Sequence, residues 1–238
     1  MPELRLFVAT SLRGPGPLSL PPEAARHVQV RRLQPGDALT LFDGCGGEWH
    51  ARVAAMTRGG VDVEVMSHQD PGRELPLEVT LAVGMPANER MDWLVEKAVE
   101  LGAAALQPLL CDRGVLRLSG DRAERRRLHW QAQAVAATEQ CGRTQVMAVR
   151  AVRPLADWWH DAPSLPPLRL LLSPRATRPP MRPAAGTGGV LLSGPEGGFT
   201  DAEEGRARQA GFVPVNLGPR VLRAETAPLA LLAWLGMP

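Results

Sequence analysis

The sequence has little of what marks several large protein classes. Its three cysteines, Cys45, Cys111 and Cys141, are scattered and odd in number, with no CxxC and no Cys/His pairing at zinc spacing. That excludes a disulfide framework and predicts no metal site. No run of 18 apolar residues occurs, so no membrane span is predicted. The first 20 residues hold Arg5, Arg13 and several prolines without a long apolar stretch, so no signal peptide is expected, and a cytoplasmic protein is the simple expectation. Neither a Gly-Lys-Ser/Thr phosphate loop nor a GxGxxG fingerprint is present, which argues against P-loop and dinucleotide-binding chemistry. Internal repeats and long low-complexity tracts are missing too. Lysine is almost absent: Lys97 stands alone among 27 basic residues, so the arginine content is partly a compositional habit.

A chain of 238 residues that is 45% hydrophobic has room for one large domain or two small ones with real cores. The net charge of +2 does not mark a nucleic-acid binder. Its distribution is more informative, because residues 113–127 carry six Arg against two acids and residues 140–182 seven against two. The middle of the chain is locally basic, as a phosphate-tracking surface would be.

Residues 1–70 read as β. Arg5–Ala9, Ala38–Asp43, Trp49–Met56 and Val61–Ser67 alternate apolar and polar residues between glycine turns, which suggests a small barrel. Pro71–Glu74 is a polar break. From Leu77 the period changes. Strands are predicted at Glu78–Val83, Leu106–Cys111, Leu168–Ser173, Val190–Ser193 and Val213–Leu217. Helices are predicted from an Asn88 cap to Gly102, over Asp121–Glu139, over Leu155–His160 as a short element, from a Thr200/Glu203 capping box, and over Ala224–Trp234. Strands alternating with helices imply a mostly parallel sheet covered on both faces.

Two segments near the C-terminus carry the chemistry. Leu191–Phe199 reads LLSGPEGGF and Leu217–Ala227 reads LGPRVLRAETA. Each is a strand running into a glycine turn and then a helix, the device by which α/β proteins bring backbone close to a small ligand. A plain strand-to-helix turn explains the first equally well. In the second, Arg220, Arg223 and Glu225 would hold a charged ligand or each other, or Glu225 would simply favour a helix N-terminus.

Through these segments the chain resembles the bacterial 16S ribosomal RNA uracil-N3 methyltransferases of the trefoil-knotted SPOUT superfamily. The resemblance runs through His27-Val28, Arg32, Gly36-Asp37, Phe42-Asp43-Gly44 and Gly47-Glu48, then Glu89-Arg90-Met91, Glu96-Lys97-Ala98, Glu139-Gln140 and Gly142-Arg143, to the two C-terminal segments. It implies an α/β fold with a PUA-like β-barrel over residues 1–72 and a SPOUT-type knotted parallel-sheet domain over residues 73–238. It also implies S-adenosylmethionine as cofactor, a homodimer, no metal, and 16S rRNA of the small ribosomal subunit as partner. The donor would be held by Ser173, Gly194, Pro195, Glu196, Gly197, Gly198, Leu217, Gly218, Arg220, Val221, Leu222, Thr226 and Ala227, with Gly194 and Gly218 expected to leave no room for a Cβ. Arg223 is the candidate cation beside the uridine anion, with Glu196 and Glu225 as base or orienter. Arg143 and Arg113 are further candidates, supplied from the partner subunit. Arg31, Arg32, Arg113, Arg122, Arg125, Arg126, Arg127 and Arg143 are the candidate RNA contacts. The chain departs from the family pattern at Ala87, where Lys is usual, at Arg31, at Met147 and at Ser173-Pro174. Two other readings stand beside this one: a non-catalytic RNA-binding assembly factor, and a knotted methyltransferase acting on another nucleotide.

Overall fold

The computed structural model describes residues 3–87, 89–184 and 186–237. The chain divides into two compact units, one of residues 1–74 with 138–146, the other of residues 75–137 with 147–238.

The first unit is a mixed five-stranded sheet. Strands β1 (Leu4–Phe7), β2 (Gly16–Ser19), β3 (Ala38–Phe42), β4 (Glu48–Thr57) and β5 (Gly60–Gln69) lie in the order β1-β3-β4-β5-β2. The β1–β3 pair is parallel and the others antiparallel. Alternation sets the inner face: Val61, Val63 and Val65 are buried while Asp62 and Glu64 turn away. The expectation of β structure throughout residues 1–70 needs a correction. Pro22–Val30 forms helix α1, with Pro at its start and Glu23 in its first turn, and packs Ala24, Ala25 and Val28 into the core.

A clasp of buried charge ties Thr138–Val146 into this unit. Arg5 donates to Glu48 at 2.9 and 3.1 Å and to the carbonyls of Thr138, Glu139 and Arg143. Arg143, 4% exposed, donates Nε to Glu74 at 2.8 Å and forms an ion pair with it through Nη2 at 2.7 Å. The other Glu74 oxygen accepts the backbone N–H groups of Thr144 and Gln145.

The second unit is a parallel sheet. Its strands are β6 (Val79–Gly84), β7 (Ala105–Leu110), β8 (Ala148–Val149), β9 (Arg153–Pro154), β10 (Leu168–Leu172), β11 (Gly189–Ser193) and β12 (Val213–Val215). Their order is β12-β10-β11-β6-β7-β8, with β9 also on β7. Every residue of β6 and β11 is buried, as strands covered on both faces require. Helix α2 (Glu89–Glu100) buries Met91, Leu94, Val95, Ala98 and Val99. Its expected Asn88 cap lies outside the described residues. Helix α3 (Gly120–Cys141) is long, with Trp130 donating to Asp92. Helix α4 (Leu155–Trp158) continues as a 3-10 turn to Ser164. Helix α5 (Asp201–Gln209) opens on Thr200 and Glu203, which form the expected capping box. Helix α6 (Thr226–Gly236) is apolar and lies against α2, β6 and β11.

Candidate functional site

Three loops leave the carboxyl ends of neighbouring strands and meet. One follows β10, one is the Gly194–Gly198 turn after β11, and one follows β12. Ligands in open parallel sheets bind at this edge. Between the loops lies a cavity of about 560 Å³, within the range of about 300–1,000 Å³ usual for small-molecule sites.

Of the residues expected from sequence, Ser173, Gly194, Pro195, Glu196, Gly197, Gly198, Leu217, Arg220, Val221, Leu222, Arg223 and Ala227 line this cavity. Gly218, Thr226 and Glu225 do not. The steric expectation for Gly218 is corrected: a Cβ there would meet nothing within 4 Å. Its φ of +112° is what requires glycine. At Gly194 a Cβ would be crowded rather than excluded, 3.2 Å from Gly198 C, Phe199 N and Phe199 Cδ2.

The turns are held by Gly84 and Asn216, which sequence alone did not single out, and by Arg113, which it offered instead as an RNA contact or a cation from the partner subunit. Gly84, the last residue of β6, lies under Pro195; a Cβ on it would sit 2.5 Å from Pro195 Cδ and 2.9 Å from Cys111 Sγ. Arg113 donates to the carbonyls of Gly197 and Phe199 at 3.4 and 3.2 Å, so it pins the glycine turn. Asn216 accepts from Gly218 N–H at 2.7 Å through Oδ1, while its Nδ2 donates to the carbonyls of Pro174 and Ala176. That one side chain fastens the loop after β10 to the loop after β12.

Charge is arranged at one end of the cavity. Glu196 Oε1 accepts from Ala87 N–H at 2.9 Å and from Arg90 Nη1 at 3.3 Å. Arg90 Nε also lies 3.9 Å from Glu225 Oε1. Arg90 is thus shared by the two carboxylates. It was visible in sequence only as part of the Glu89-Arg90-Met91 motif, and no spacing rule links it to positions more than 100 residues away. Glu225 is 6% exposed, and its Oε2 has no partner among the described residues. Arg223 and Arg220 are exposed and form no ion pair among the described residues. Burial, with Glu203 and Asp112 nearby, pushes the Cys111 thiol up to about 12, so it stays protonated and is no nucleophile at neutral pH.

The candidate RNA contacts differ in their surroundings. Arg31, Arg32, Arg122 and Arg125 are exposed and Arg126 is half-buried. Arg127 is held by Glu124 at 2.6 and 2.8 Å. Arg143 faces the interior of the first unit, its guanidinium engaged by Glu74, so its observed role is to anchor the 138–146 segment. Arg32 has a φ of 59°, a left-handed conformation at the end of α1 that glycine adopts at lower cost. Among the described residues no cluster of three His, Cys, Asp or Glu could hold a metal, and no helix is long and apolar enough to cross a membrane.

A parallel α/β sheet whose carboxyl edge folds two glycine turns and a third loop around one cavity, in a chain with a mixed N-terminal sheet, has the architecture of a SPOUT-type methyltransferase with a PUA-like domain. Residues 73–236 match the RNA methyltransferase domain family, and residues 20–66 match the RNA methyltransferase PUA domain. A ribosomal RNA small subunit methyltransferase E from Synechocystis is 37% identical over 211 residues, covering 86% of this chain and 67% of the relative. Its Bacillus subtilis counterpart is 29% identical over 224 residues, covering 90% and 88%. The crystal structure of the Neisseria gonorrhoeae protein of that name, bound to S-adenosylmethionine, superposes with a TM-score of 0.90 at 34% identity, covering 98% of this chain and 96% of that one. A Legionella pneumophila methyltransferase in complex with the same cofactor gives 0.89 at 33%, covering 99% and 97%. The chain belongs to the ribosomal RNA small subunit methyltransferase E family of RNA methyltransferases.

Proposed function

We propose that this protein transfers a methyl group from S-adenosylmethionine to N3 of one uridine in 16S rRNA of the small ribosomal subunit, working as a cytoplasmic homodimer. The observation that carries this is the single cavity made by both glycine turns, with Arg90, Glu196 and Arg223 at one end. Its residues fit the donor. Backbone groups of the turns suit the polar edge of a nucleoside, and Leu172, Val215, Leu217 and Leu222 offer apolar surface for a base. When bound, the donor supplies an activated methyl.

The remaining work falls to the chain. Uracil N3 carries a proton that must leave before its lone pair can react, so the site needs a proton acceptor and a cation for the resulting anion. To Arg223, exposed and lining the cavity, we assign the contact with O2 or O4. Arg90 is a second cation, held by Glu196. Glu196 lines the cavity and takes both its donors, Ala87 N–H and Arg90, on Oε1, so its Oε2 is the candidate proton acceptor, while Glu225, buried outside the cavity lining, helps orient Arg90. N3 lies on the Watson–Crick edge, so the target must be unpaired or flipped. Residues 1–72 would act as the RNA-binding domain and residues 73–238 as the methyltransferase domain, with Arg31, Arg32, Arg122, Arg125 and Arg126 tracking phosphate.

The test combines donor titration with methyl transfer to small-subunit rRNA. Arg90→Ala and Arg223→Ala are each expected to lower turnover about 10²–10³-fold while donor affinity stays within about threefold. Normal turnover in either variant removes that arginine from the mechanism. Donor binding by the wild type without any rRNA methylation would favour the non-catalytic assembly factor.

A further inference from the structure

The cavity has a second polar end. Strand β10 lies on the far side of β11 from β6, about 10 Å from it in the hydrogen-bonding direction. The loop after β10 therefore lies away from the Arg90 and Glu196 end. There Ser173 and Glu204 line the cavity, and both are buried, at 3% and 9% exposure. Glu204 stands in the first turn of α5, and its Oε1 accepts from Ser173 Oγ at 3.1 Å and pairs with Arg175 Nη2 at 3.0 Å. The other oxygen, Oε2, has Arg208 at 3.8 Å, beyond hydrogen-bond distance. Arg175 needs no second carboxylate for its own sake, because it is half exposed and already bonded to Asp201 at 2.7 Å.

A carboxylate taken out of water to line a small-molecule cavity, with one oxygen fixed and the other open, is an acceptor for ligand hydroxyls. Arg175 and Arg208 offset the charge of Glu204 and Asp201. A vicinal diol offers two O–H donors. Carboxylates read ribose in this way at other nucleotide sites.

We infer that Glu204, oriented by Ser173, binds the ribose diol of the methyl donor and so fixes the end of the cavity in which the nucleoside lies. This rests on the donor reading proposed above. It also gives a role to Ser173, whose hydroxyl holds the carboxylate that α5 supplies.

Calorimetric titration of wild type, Glu204→Gln and Ser173→Ala with S-adenosylhomocysteine and with its 2′-deoxyribose counterpart tests the inference. The wild type should prefer the ribose form by about tenfold or more. Glu204→Gln should bring the two ligands within about twofold, by weakening the ribose form alone, and Ser173→Ala should narrow the gap in the same direction. Melting temperatures measured alongside show whether a variant is folded. Equal weakening of both ligands in Glu204→Gln, or no change in either, overturns the inference and leaves the donor site standing. A wild type that binds neither ligand overturns the donor reading itself, and the inference with it.

Discussion

Replacing Gly84 by alanine adds one methyl group at the end of β6, directly beneath the Pro195 turn. The new Cβ would lie 2.5 Å from Pro195 Cδ, 2.7 Å from Pro195 N and 2.9 Å from Cys111 Sγ. Carbon atoms rest about 3.5–4.0 Å apart, so the gap must open by roughly 1 Å. Pro195 offers ring and backbone atoms there, and neither can rotate aside. Strand β6 is hydrogen-bonded on both sides, to β11 and β7, so the turn is the part that yields. Overpacking of this size costs about 1–3 kcal/mol. If the turn absorbs it, donor affinity falls about 10–100-fold. If the sheet absorbs it, the melting temperature falls by about 2–4 °C per kcal/mol. Titration with S-adenosylhomocysteine beside a thermal melt separates the two, and the turn route is expected. Gly205→Ala is the control. Gly205 lies within α5 with nothing within 4 Å of its Cβ direction, so alanine should stabilise by up to about 1 kcal/mol and leave binding unchanged. A Gly84→Ala protein with wild-type affinity and melting temperature would refute the claim that close packing of β6 on the turn shapes the site.

Arg143→Met should lower unfolding free energy by about 2–3 kcal/mol in urea titrations, because Glu74 loses its buried partner, while donor affinity is unchanged; loss of donor binding with stability retained would reverse that assignment. Cys111 is an acid whose pKa in the folded protein, raised by burial to about 12, lies above the ordinary thiol value of 9.0. Its contribution to stability is therefore complete below about pH 9 and is lost as pH rises toward 12, at about 1.4 kcal/mol per pH unit. Denaturation between pH 8 and 11 should show a shallower alkaline decline in Cys111→Ala, and that variant should keep its methylation activity. Arg122→Ala/Arg125→Ala/Arg126→Ala should reduce the slope of log affinity for rRNA against log salt by about 2, measured by filter binding; an unchanged slope removes α3 from the RNA surface.

Period and punctuation made much of this fold legible in the sequence. Val61, Val63 and Val65 announced a half-buried strand, the apolar runs of β6, β10 and β11 a sheet covered on both faces, and Thr200 with Glu203 a helix start. Helix α1 was hidden because its buried residues are small, its first residue is proline, and it sits between strands. Strand β2 was hidden because it contains Gly16 and Pro17. Within the site, the two glycine turns were readable as turns at strand ends, and residues of both line one cavity. Their supports were not readable, since Gly84 under Pro195, Arg90 between Glu196 and Glu225, and Asn216 across two loops are contacts between residues distant in sequence that no local pattern encodes. Arg143 shows the reverse error: a motif arginine reads as a functional cation until burial and Glu74 show what it holds. The misjudged reason for Gly218 has the same source, because sequence identifies a glycine but does not distinguish a crowded Cβ position from a left-handed backbone.

Mass mapping of small-subunit rRNA from cells that lack this protein addresses the central claim most directly. One uridine should lose a single methyl group at N3, and the methyl should return when the wild-type chain is supplied but not when Arg223→Ala is. Unaltered small-subunit rRNA, or loss of a methyl group from another base or from tRNA instead, would contradict it.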